Sequence, residues 1–135
     1  MRRITLKNTD FADFVQHAMK RGARIPVVAR GNSMWPIIND GDTVHIRPAH
    51  AHTVNAGDLV FYRRASGAAV LHQVTGLYKN HLIVSSTMPS AIKELVNFRN
   101  CFARVMHVSR KNMLIKAATK LPGFAKNVLR WFNIF

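Results

Sequence analysis

The chain has 135 residues, 48% of them hydrophobic, and carries 20 lysines and arginines against 6 acids, a formal charge of +14 with its 7 histidines neutral. That length suits one domain with a real core and is too short for two, and the apolar fraction excludes a disordered chain. The cationic excess predicts attraction to polyanions, either anionic lipid headgroups or nucleic acid, without choosing between them. A single cysteine, Cys101, excludes an internal disulfide and reads as a small buried hydrophobe. No apolar run approaches the ~20 residues of a membrane-spanning helix. Met1-Arg2-Arg3-Ile4-Thr5 is basic but has no apolar stretch behind it, so it does not read as a signal peptide.

In chain order, Thr9 or Asp10 is placed to cap a helix whose Phe11, Phe14, Val15 and Ala18 recur at helical spacing, with Gly22 as its stop. Ile25 to Ala29 reads as a short strand. A Gly-Asn-Ser-Met-Trp-Pro bend follows (Gly31 to Pro36), closing on Gly41-Asp42. Strands are then predicted over Thr43 to Arg47, Leu59 to Arg63, Ala68 to Val74, His81 to Val84 and Phe102 to Val108. Arg64-Ala65-Ser66-Gly67 supplies hairpin chemistry between two of them. Ile92 to Val96 reads as a short helical piece. From Asn112 the apolar residues change period: Leu114, Ala117, Ala118 and Leu121 form one helical stripe, and Phe124, Val128, Trp131, Phe132 and Phe135 form another. This basic amphipathic segment either packs on the sheet or lies at an anionic membrane surface.

Two half-patterns reinforce each other. One is Ser33-Met34-Trp35-Pro36 followed by Gly41-Asp42 and a strand. The other is Gly57-Asp58-Leu59-Val60-Phe61, then Leu71-His72-Gln73-Val74. Together they resemble the serine-peptidase superfamily that contains type I signal peptidases and the self-cleaving domains of SOS and phage repressors, over roughly Ile25 to Arg110. The resemblance implies a mainly β fold, a coiled antiparallel barrel-like sheet with one N-terminal helix, to which the C-terminal helical segment would be added. It divides the chain into a β domain with its helix over 1–111 and the basic extension over 112–135.

It also implies a mechanism. A serine hydroxyl becomes a nucleophile when a neighbouring base takes its proton, and an imidazole is able to do so at neutral pH. Ser33 is the implied nucleophile, and His72 sits where this superfamily carries its general base, as in its histidine-type members. Main-chain N–H groups of Gly31 and Ser33 are the implied oxyanion donors. Met34, Trp35 and Pro36 flank the serine as candidates for the substrate cleft; Met34 also reads as a buried plug, Pro36 as a turn lock, and Trp35 equally well as a core cover. Asp42 and Asp58 read as local caps of their turns. Relatives show Gly-Asp after the strand that His81 to Val84 resembles, but this chain has Ser85-Ser86-Thr87-Met88-Pro89 and no acid until Glu94. Ser86 or Thr87 is therefore the candidate to orient His72 in place of a carboxylate.

The expectation is a serine endopeptidase acting on a peptide or precursor protein, needing no cofactor and no metal. Its place would be the cytoplasm or the cytoplasmic face of a membrane. The rival is a catalytically impaired module of the same fold that binds anionic membrane, or less favourably nucleic acid. His50-Ala51-His52 offers two ligands and no closed metal site.

Overall fold

The computed structural model describes residues 2–110 and 127–131, with side chains over 7–110. Its elements are β1 (Arg2–Leu6), α1 (Asn8–Lys20), β2 (Ile25–Val28), β3 (Thr43–Pro48), β4 (Leu59–Arg63), β5 (Ala69–Tyr78), β6 (His81–Ser85), β7 (Glu94–Asn97), β8 (Cys101–Ser109) and β9 (Asn127–Trp131). All strands lie in one open sheet of order β1-β9-β2-β3-β8-β4-β5-β6-β7. The seven strands from β2 to β7 in that order are antiparallel, while β9 runs parallel to both β2 and β1. Over the described residues the molecule is thus mainly β with one α-helix, near the N-terminus, in line with the mainly β expectation.

β4 and β5 explain the two cores. All of Leu59, Val60, Phe61 and Tyr62 are buried, and so are Ala69, Val70, Leu71 and His72. Because side chains alternate across a strand, Leu59, Phe61, Ala69 and Leu71 go to one face. There they join Phe11, Val15 and Met19 of α1, with Val27, Met34, Ile38, Val44, Ile46 and Phe102. Val60, Tyr62, Val70 and Val74 go to the other face, with Val54, Leu82, Val84, Val96 and Cys101. No helix of the described residues covers this second face; strands and the loop at Val54 bury one another. Cys101 belongs here, its thiol pushed up to about 12 by burial, and behaves as a small hydrophobe.

The two Gly-Asp steps are one turn used twice. In Asn39-Asp40-Gly41-Asp42 the Asn39 N–H donates to the Asp42 carboxylate at 2.8 Å, and the Asp42 N–H returns to the Asn39 carbonyl at 3.0 Å. In Asn55-Ala56-Gly57-Asp58 the same two bonds measure 2.9 and 3.1 Å. Gly41 and Gly57 take φ of 89° and 98°, a region closed to most side chains. Each aspartate also meets an arginine at the β8 side, Arg110 at 2.6 Å and Arg104 at 3.8 Å. These turns start β3 and β4, so they set where the site's strands begin.

Several expectations are corrected. Helix α1 begins at Asn8 behind Lys7, with no side-chain cap; the Asn8 side chain instead clamps the Ala69 backbone, accepting at 2.6 Å and donating at 3.0 Å. The piece expected to be helical at Ile92 to Val96 is strand β7, paired with β6. The C-terminal stripe expected to be helical contains β9: Asn127–Trp131 is a strand inserted between β1 and β2. Val128 and Trp131 fall at helical spacing, but a short apolar run is compatible with either period until a pairing partner decides. The remainder of the 112–135 segment, including Leu114, Ala117, Ala118, Leu121 and Phe124, lies outside the described residues.

Leu71 and Leu77 share β5 but differ in burial, 0% against 53% exposed. Leu71→Ala is expected to cost about 2–5 kcal/mol and Leu77→Ala within about 0.5 kcal/mol, read from chemical-denaturation midpoints.

Candidate functional site

The bend that carries Ser33 leaves β2 through Gly31, whose φ of 93° needs glycine. Met34 then drops into the first core, 1% exposed. Met34 is therefore a buried plug and not a cleft residue, because the apolar side chain anchors the bend from beneath. Trp35 is 57% exposed and Pro36 is exposed beside it, so these two stand at the rim.

Residues beyond β6 hold the bend from the other side. Thr87 donates its N–H to the Ser33 carbonyl at 3.3 Å, and its hydroxyl donates to the Trp35 carbonyl at 2.6 Å. In the β5–β6 ladder Gln73 pairs with Ser85. His72 is thus one residue from the ladder position that leads through Ser86 to Thr87 and the serine. Both Ser33 and His72 are buried, at 5% and 8% exposure. The Ser33 hydroxyl has no hydrogen-bond partner among the described residues, so the resting structure has no Ser33–His72 hydrogen bond. A buried hydroxyl without a partner is costly and uncommon, and catalytic hydrogen bonds are often formed only once substrate is bound.

The histidine is oriented by groups the sequence reading did not choose. His72 Nδ1 lies 3.0 Å from the Tyr62 hydroxyl, and that hydroxyl donates to Glu94 Oε1 at 2.8 Å. Arg64 donates to the same carboxylate oxygen, and His72 Nδ1 is 4.0 Å from it. Ser86 and Thr87 make no such contact: Thr87 is used on the serine bend, and Ser86 Oγ accepts from the Met88 N–H. Both are corrected as orienting residues. Glu94 was passed over because it stands 32 positions beyond Tyr62, on a segment read as helix. One signal for it was present: it is the only acid after Asp58 in a chain with 6 of them.

Electrostatics follow from this packing. Burial lowers the His72 pKa from its ordinary value; the Glu94 charge opposes this and Arg64 adds to it, and the net is downward. The imidazole is therefore neutral at pH 7. Burial acts to raise the Glu94 carboxyl, but hydrogen bonds from Arg64 and Tyr62 and the nearby positive charge outweigh it, holding it below the usual range. Burial, then the bond to Glu94, pushes the Tyr62 phenol well above its ordinary value.

The oxyanion assignment is corrected in one half. The Gly31 N–H donates to Asp40 Oδ1 at 2.9 Å, and a carboxylate there would repel a developing negative oxygen. No described residue accepts from the Ser33 N–H. Asp42 and Asp58 are turn caps, as above. His50 and His52 stack at 6.1 Å on a short 3-10 turn, and no group of three or more metal-ligating side chains is present among the described residues. No helix among them is long and apolar enough to cross a membrane.

Comparison of the chain with protein-family models, with curated proteins and with solved structures finds no match. The functional reading rests on the site itself.

Thr87→Val removes the hydroxyl that braces the serine bend, whereas Thr87→Ser keeps it. The expected loss is about 1 kcal/mol for the valine variant and near zero for the serine variant, measured by urea denaturation.

Proposed function

We propose that this protein is a serine endopeptidase of the signal-peptidase-like type, cleaving a peptide or precursor protein with Ser33 as nucleophile and His72 as general base. On this reading the open sheet belongs to the signal-peptidase and repressor-cleavage fold group, and the enzyme works in the cytoplasm or at the cytoplasmic face of a membrane. The observation that carries it is a buried serine hydroxyl without a partner, on a bend tied to the strand end beside a buried, neutral histidine. Polar groups are rarely left in that state without a use.

The chemistry balances with these groups alone. Ser33 Oγ bonds to the substrate carbonyl carbon as its proton passes to His72 Nε2, and the Ser33 N–H faces the oxyanion. Collapse breaks the C–N bond, and the imidazolium gives its proton to the leaving amine. Water then repeats the sequence on the acyl-enzyme and frees Ser33. No cofactor is required. Exposed Trp35 and Met88, 57% and 45% accessible, form the apolar rim on which an extended substrate segment would lie.

A second reading has its own support. The resting serine is not bonded to His72, Gly31 is engaged by Asp40, and the charge is +14. These favour a catalytically impaired module of the same fold held at anionic membrane or, second, nucleic acid.

A fluorophosphonate probe separates the two. The enzyme reading expects covalent labelling of the full chain, its loss in Ser33→Ala and a fall of about 10²- to 10⁴-fold in His72→Ala. Since only neutral imidazole accepts the proton, the labelling rate should fall as pH drops through a value below the ordinary ~6.5 of histidine and level off above it. Labelling unchanged in Ser33→Ala, or absent from the wild type while anionic vesicles still bind, favours the module.

A further inference from the structure

The groups behind His72 decide which of its two nitrogens is available, and this can be worked out proton by proton. Tyr62 has one hydroxyl hydrogen. It points to Glu94 Oε1 at 2.8 Å, and that carboxylate is kept ionised by the Arg64 guanidinium. Toward His72 the phenol therefore presents only a lone pair, across 3.0 Å. Two lone pairs at that distance would repel, so Nδ1 must carry the imidazole hydrogen and Nε2 must be bare.

We infer that Tyr62 is a positioning residue that fixes His72 in its Nδ1–H tautomer, and that Glu94, reaching the histidine through the phenol, replaces the directly bonded carboxylate of a serine triad. This rests on the peptidase reading for its catalytic meaning, but not for its geometry. Direct carboxylate contact is prevented by distance, since Glu94 Oε1 is 4.0 Å from Nδ1. The tyrosine fills that gap and passes on orientation and part of the charge. When Nε2 takes the serine proton, the imidazolium is stabilised by a polarised phenol with Glu94 behind it. Burial first, and then the Arg64 charge, outweigh the pull of Glu94, so the base stays neutral at pH 7. Tyr62 on β4, Arg64 after it and Glu94 on β7 are the titratable or charged groups set against the ring.

The tautomer is read directly by ¹⁵N NMR of the histidine ring in the full chain. In wild type His72 is expected as Nδ1–H with a bare Nε2. In Tyr62→Phe, which keeps the ring and removes only the hydroxyl, that preference should be lost. In Glu94→Gln the His72 pKa should fall, because the one charge raising it is gone. In fluorophosphonate labelling, Tyr62→Phe should lower the maximal rate by on the order of 10²- to 10⁴-fold with little change in half-saturating probe, and Tyr62→His, which restores an acceptor, should recover part of it. An Nε2–H tautomer in wild type, or an unchanged tautomer in Tyr62→Phe, overturns the inference even if Ser33 is labelled. Absence of labelling in wild type with the Nδ1–H tautomer intact would remove the peptidase reading and leave the positioning role standing.

Discussion

Strand β7 reaches strand β4 across two intervening strand gaps and one more, and the Tyr62–Glu94 hydrogen bond at 2.8 Å closes that span. On a flat sheet three strand spacings amount to about 14 Å, and side chains stand roughly perpendicular to the sheet and not along it. The bond therefore draws the side chains of β4 and β7 together over the second face. On that face Val60, Val70, Val84 and Val96 are buried together, and the burial of His72 beside them lowers its pKa and keeps the ring neutral. A polar chain in such surroundings is tolerable only when its members are satisfied, and Arg64, Glu94, Tyr62 and His72 Nδ1 satisfy one another.

Acids are scarce in this molecule, and their placement is correspondingly informative. Asp13 pairs with Arg63, Asp40 with Arg30, Asp42 with Arg110, Asp58 with Arg104 and Glu94 with Arg64. The pairs that are largely exposed contribute little to stability, while Asp42 is buried against Arg110. Their value is local: two start strands, one ties α1 to β4, one closes the serine bend, and one orients a histidine. With 20 lysines and arginines against 6 acids, most of the cations have no acid to balance them.

The bend and the histidine are held by different devices, and this shapes how the proposed chemistry would proceed. Met34 fixes the serine loop from within the first core, and Thr87 fixes it from the strand end. His72 is fixed from the second face by Tyr62. The serine bend is thus anchored in the first core and the histidine in the second, and the two side chains share no hydrogen bond. The proposed chemistry would therefore require a movement that brings the Ser33 hydroxyl to the His72 ring.

Most of the strands were legible because period-2 alternation and Gly-Asp or Arg-Ala-Ser-Gly turns are local signals; β4 was bounded at Leu59 and Arg63 from residues alone. The serine bend and the histidine strand were legible for the same reason, as short motifs. Locally ambiguous segments were not: β7 and β9 are strands because β6, and β1 with β2, offer them backbone partners, and a helical spacing of a few apolar residues carries no information about a distant edge. The Tyr62–Glu94 support of His72 was equally hidden, because it joins residues from non-adjacent strands that come together only in the folded sheet. The sequence by itself determined a basic, mainly β domain with a serine bend and an apolar strand bearing a histidine. The tertiary structure alone decided which carboxylate stands behind that histidine, since hydrogen-bond partners with two strands between them are chosen by how the strands assemble and not by spacing along the chain.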